Sequence, residues 1–224
     1  MNPVLPSDEG ESLRRFGMVQ LLIAIAALFI SMPFIEALRS GPMIEAILMT
    51  IVLLSGVLAI ADRRRVVIVG LILAIPAIIG RWVDQYRPGR VPAEIYLIAA
   101  ILFFLFVIIN LLRFVVSAPS IDVEVLCACI SAYLLLGFTW ALAYWLVAEL
   151  VPDAFAFSNG DKSLKGFNGV YYSFITMCSV GYGDITPVAK VARMLAAAEA
   201  VTGSLYIAVL VARLVSLYAS PKSS

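Results

Sequence analysis

Apolar residues run on for stretches far longer than a soluble helix or strand needs, and charges fall almost entirely between those stretches. Phe16–Ile35 carries no charge over 20 residues. A helix needs roughly 20 mostly apolar residues to cross the hydrocarbon of a bilayer, so this segment predicts a span. It follows Arg14-Arg15 as a signal peptide would, yet it exceeds a signal core in length and reads as a retained helix. Met43–Ala61, with Glu45 at its edge, predicts a second span, ended by Asp62 and Arg63-Arg64-Arg65. Val66–Trp82 predicts a third, kinked at Pro76, where neighbouring helices satisfy the freed carbonyl. A turn signal at Arg87-Pro88-Gly89 precedes Pro92–Val116, the fourth, whose proline suits a first helical position.

Ser117-Ala118-Pro119-Ser120 then interrupts, and either serine is a candidate cap for a fifth helix over Ser120–Val151. Asp122 and Glu124 suit the positive end of its dipole. That helix is expected to be the longest and to protrude from the bilayer. Pro152–Asn168 is polar and carries a turn-prone Asn159-Gly160. Gly169–Cys178 is apolar but too short to span, and it leads into a glycine run; Val191–Tyr218 predicts the sixth span. A re-entrant segment must line water or be buried in protein, because lipid cannot satisfy its backbone. The order helix, re-entrant segment, helix therefore points to a pore or a substrate pathway.

Composition agrees: 62% of residues are apolar and 14% charged, which places the chain among integral membrane proteins. The net charge of +1 and the lack of a dominant basic cluster give no reason to expect a nucleic-acid partner. Cys127, Cys129 and Cys178 lie in apolar runs and read as small packing residues. Without a histidine the chain has no metal-site pattern, and neither a cofactor nor enzymatic activity is expected.

The run Thr176-Met177-Cys178-Ser179-Val180-Gly181-Tyr182-Gly183-Asp184 resembles the pore signature of potassium channels, whose filter loop is a known model of ion selection. The resemblance covers the last two spans and the hairpin between them. It implies an all-α membrane fold with six transmembrane helices, a re-entrant pore helix and filter between the fifth and sixth, and a homotetrameric pore. It implies K⁺ sites at the carbonyls of Ser179, Val180, Gly181 and Tyr182, with the Ser179 hydroxyl completing the innermost one. Gly183 closes the filter, and Thr176, Cys178 and Asp184 support it. Val180 and Tyr182 would point away, the tyrosine packed behind the filter, and the helix Val170–Cys178 would aim its negative end at a central cavity. Two positions depart from the pattern, Ser179 and Cys178, where threonine is usual; neither touches Val180–Gly183.

Physics alone asks for such glycines. Taking a bare ion into a low-dielectric medium costs, in the idealised limit, on the order of 20 kcal/mol. Backbone oxygens offset this only if successive carbonyls face one axis, which requires alternate residues in dihedrals that glycine tolerates. Gly181 and Gly183 stand two apart. One filter strand cannot encircle an ion, and the chain holds a single copy, so four chains are required.

The implied division is a cytoplasmic segment at 1–15, a peripheral four-helix unit at 16–116, a linker at 117–124, a pore domain at 125–218 and a cytoplasmic tail at 219–224. Basic residues are shared equally between the two sides, and the Arg63–Arg65 triplet with the outward-facing filter places both termini in the cytoplasm of a plasma or inner membrane. Six spans also resemble voltage-gated channels, but Pro92–Val116 holds only Glu94 and Arg113 near its ends. A charge crossing the field is worth about 2.3 kcal/mol per 100 mV, so no steep voltage sensor is expected. Asn110 is left as either an interhelical hydrogen bonder or a packing defect. Control is expected from lipids, membrane tension, an unidentified ligand or partner protein, or the filter itself.

Two residues of the sixth span are gating or cavity candidates. Gly203 is read as a hinge or as a close-packing site among small residues. Glu199 is a costly mid-membrane carboxylate, placed either on the cavity, concentrating cations, or behind the pore helix, bound to Thr176 or a neighbouring hydroxyl. The function expected is passive K⁺ conduction. The alternatives are a non-selective cation channel and a non-conducting accessory or transporter subunit.

Overall fold

The computed structural model describes residues 8–36, 38–61, 64–158, 160 and 163–219. Among them the chain forms α1 (Asp8–Glu36), α2 (Gly41–Ala59), α3 (Arg64–Tyr86), α4 (Ala93–Ser117), α5 (Val123–Leu150), β1 (Phe155–Phe157), α6 (Phe167–Met177), β2 (Ile185–Pro187) and α7 (Lys190–Ala219). All of these but α6 and the strands are long and apolar enough to cross a membrane, which gives six candidate spans. Arg63, Asn159 and Lys162 lie outside the described residues, as do 1–7 of the N-terminal segment and 220–224 of the tail.

Several expectations shift. The first helix starts at Asp8, well before Phe16, and α3 runs through Pro76 to Tyr86. The longest helix is α7, with 30 residues against 28 for α5. Neither serine caps α5. Asp122 does so, accepting from the Val125 amide at 2.9 Å, while the Ser117 hydroxyl turns back to the Arg113 carbonyl of its own helix. Asn110 likewise donates to Phe106 at 2.7 Å within α4 and, among the described residues, makes no interhelical bond.

The fold is also not purely helical. β1 and β2 pair antiparallel with Phe155 opposite Pro187 and Phe157 opposite Ile185. The Ser158 and Val188 amides extend the ladder to the Asp184 and Ala154 carbonyls. This ribbon ties the segment after the glycine run to the loop before α6. It is held down by Tyr144, Phe155 and Tyr172, whose rings meet edge to face with centroids 4.8–5.8 Å apart.

α5 is the hub: it packs on α1, α4, α6 and α7 and is the most deeply buried of the six spans. Close approach is built in at Gly137, where a Cβ would lie 2.6 Å from the Phe174 ring of α6. α7, by contrast, is the least buried of the six and leaves Met194, Val201, Leu205 and Val209 bare. α1 to α4 form the other half, with α3 packed on α2 and α4.

Candidate functional site

The site grows out of the C-terminus of α6. A helix end leaves carbonyls without partners, and here the following residues turn back to supply them. The Ser179 amide donates to Thr176 at 2.9 Å and the Val180 amide to Ile175 at 2.8 Å. That is the Schellman pattern, which needs a left-handed residue after the cap. Serine takes that place, with φ +57°. Glycine would hold it more easily, since an L side chain in this region costs roughly 1–2 kcal/mol.

The Gly181 amide also reaches the Ile175 carbonyl, at 3.2 Å, so two successive amides converge on one acceptor. In a trans peptide a carbonyl points opposite to the next amide; no peptide bond here is cis. The carbonyls of Ser179 and Val180 therefore both project away from α6, on one side. The alternation continues, with φ +54° at Gly181 and +81° at Gly183. The sequence predicts the two glycines of this series; that Ser179 joins it becomes visible only in the fold.

The remaining residues are placed as follows. Thr176 lies on α6 and its carbonyl takes the Ser179 amide. The α6 carbonyls expected to face a cation cavity are thus partly occupied by backbone amides. Cys178 is exposed, with its Sγ 3.5 Å from the Tyr133 hydroxyl, whereas Cys127 and Cys129 are buried; packing describes two of the three cysteines. Asp184 anchors the ribbon through its carbonyl and faces the Tyr171 phenol, and its Oδ1 is buried without a hydrogen-bond partner. Val180 and Tyr182 are exposed, the tyrosine by 72%, so the described residues of one subunit do not enclose either side chain.

Glu199 is fully buried and turned into the subunit, behind α6. Its Oε2 accepts from the Tyr144 hydroxyl, and Oε1 lies 2.5 Å from the Ser173 Oγ, itself 2.7 Å from the Gly137 carbonyl. The cavity placement is thereby corrected: a carboxylate gripped by hydroxyls from α5 and α6 is not free to concentrate cations. Sequence reasoning named a neighbouring hydroxyl but not Tyr144 or Ser173. The signal was available in two hydroxyl residues set within apolar runs, one on each helix flanking the carboxylate. Gly203 is buried where a Cβ would lie 2.5 Å from the Met177 carbonyl, and α7 passes it unbroken. Of the two readings, close packing against the end of α6 is the one this contact supports.

Ion pairs hold the entrance to α6. Lys165 sits 3.5 Å from Asp84 of α3 and over the Trp145 ring at 5.2 Å. Arg81, buried in α3, pairs with Glu45 of α2 at 3.4 Å. Residues 125–220 match the model of a family described as an ion channel. This stretch is an ion-channel domain. With six apolar helices long enough to span, the chain is a multi-pass membrane protein. The channel domain takes in α5, α6, the glycine run and α7. Searches among curated proteins and among solved structures return no match.

Proposed function

We propose that four copies of this chain form a potassium-selective pore, in which the backbone of Ser179–Gly183 replaces the hydration shell of K⁺ and α6 re-enters the membrane to hold it. The supporting observation is the convergence of the Val180 and Gly181 amides on Ile175, which turns the Ser179 and Val180 carbonyls to one side at the head of an alternating φ series. Such a row of oxygens is what a dehydrated cation needs. Val180, Tyr182 and the apolar face of α7 lie bare in one subunit, which fits a filter whose supporting wall belongs to neighbouring copies. The filter opens to the exterior of a plasma or inner membrane, with both termini cytoplasmic. Conduction is passive and not steeply voltage-dependent, since α4 carries Glu94 and Arg113 only near its ends.

Purified protein in liposomes under opposed potassium and sodium gradients tests this reading. The reversal potential is expected near the potassium equilibrium value. A value near zero would identify a non-selective cation pore, and absence of current under all applied voltages would favour an accessory subunit.

A further inference from the structure

At the end of α3 the surface changes chemistry within one turn. Its exposed side carries Ile72, Ile75 and Ile79, each roughly half exposed or more, at helical spacing. The stripe ends at Trp82 and Tyr86, whose rings stack with centroids 5.9 Å apart at 22°. Arg87 and Arg90 follow immediately, where the candidate span stops at Tyr86. An open groove of about 470 Å³ joins these parts, lined by Ile78, Ile79, Val83, the two rings and the two arginines. That volume lies in the range of small-molecule sites, roughly 300–1,000 Å³.

The charge balance is one-sided. No carboxylate lines the groove. The nearest in sequence, Asp84, is turned to the other face, where it accepts from Tyr96 at 3.3 Å and meets Lys165. Both arginines are exposed, and among the described residues neither guanidinium has an ion pair or hydrogen bond. Trp82 is held in place by its indole N–H, which donates to Thr50 at 3.0 Å. The groove is therefore apolar with amphipathic aromatic rings, and it carries two arginines that no described carboxylate pairs.

We propose that this groove is a binding site for a phospholipid with an anionic headgroup, its acyl chain along Ile78 and Ile79 and its phosphate between Arg87 and Arg90. Aromatic rings of this kind settle at headgroup depth, and guanidinium forks match phosphate oxygens bidentately. A zwitterionic lipid would bring its own cation to a site that offers that cation no acceptor carboxylate. The occupant is thus an acidic membrane lipid, and the peripheral helices carry a lipid-reading surface remote from the glycine run.

Native mass spectrometry of the detergent-purified oligomer, titrated with phosphatidylglycerol and separately with phosphatidylcholine, tests the proposal. The wild type should retain phosphatidylglycerol preferentially. Removing both charges (Arg87→Gln with Arg90→Gln) should weaken that retention about thirtyfold and leave phosphatidylcholine unchanged. Glycerol phosphate, which lacks the tail, should compete at least tenfold less well than the intact lipid. Equal retention of both lipids, or an unaltered phosphatidylglycerol affinity in the double variant, would overturn the assignment. Should that variant not assemble, the comparison of the two lipids on the wild type still decides.

Discussion

A carboxylate at the centre of a membrane helix persists only where its charge is removed or matched, and the surroundings of Glu199 show how. The Ser173 hydroxyl has a single proton but faces two acceptors, Glu199 Oε1 and the Gly137 carbonyl. Both contacts are satisfied when the carboxyl itself carries the proton on Oε1, donates to Ser173, and accepts from Tyr144 on Oε2. Glutamine reproduces that pattern, with its amide N–H in place of the acid proton. Glu199→Gln should therefore keep the thermal stability of the assembled protein within about 1 kcal/mol, whereas Glu199→Ala should cost about 1–3 kcal/mol by orphaning the buried Tyr144 hydroxyl, while Ser173 keeps the Gly137 carbonyl. Denaturation of the purified variants measures both. Equal losses would show that the group is held as an ion instead. At this scale the sequence discloses that Glu199 is anomalous, because cost is a property of residue type and depth. It does not disclose the partners, because Tyr144 and Ser173 are 55 and 26 residues away.

Elements are more legible than contacts. Apolar run length marks all six spans, since crossing a bilayer is a demand on composition alone, and α6 is legible as a segment too short to cross. The three-residue strands β1 and β2 are invisible in the sequence, because so short a run has no periodicity and its pairing bridges about 30 residues of loop, helix and glycine run. Junctions likewise depend on tertiary fit, as Gly203 illustrates. Gly203→Ala would press a methyl to 2.5 Å from the Met177 carbonyl, a backbone atom that cannot swing aside. The expected result is a loss of about 1–3 kcal/mol, read as a lower melting temperature along with altered conduction. Altered conduction at unchanged stability would instead favour the hinge. At the far end of α7, Arg213 donates to the Val116 and Ala118 carbonyls, at 2.7 and 3.0 Å, fastening it to the end of α4 and the linker that follows.

For the whole molecule, the uneven burial of α5 and α7 is the informative quantity. Helices in lipid gain little from hiding apolar surface as such, so a bare α7 alone would not demand partners. Under the proposed re-entrant reading the exposed glycine run does, because lipid cannot satisfy a bare backbone. Native mass spectrometry or cross-linking in detergent should give a species of four subunits. A dimer or trimer as the largest species would remove the proposed pore. The Lys165–Asp84 pair joins the peripheral half to the entrance of α6, but with Lys165 well exposed it belongs to the class of pairs worth about 0–1 kcal/mol. Asp84→Asn should accordingly leave the melting temperature almost unchanged.

Run length and the scarcity of charge determine, from sequence alone, that this chain crosses a membrane repeatedly, and glycine spacing singles out residues 179–183 as the candidate centre of its chemistry. Those properties depend on residue type and order, which no packing can alter. Tertiary structure decides which way Glu199 faces, that Ser179 shares the left-handed geometry of its glycine neighbours, and that a paired ribbon pins the segment after the run. Each of these arises where distant parts of the chain meet, and hydrogen-bond partners and steric limits there are set by approach in space.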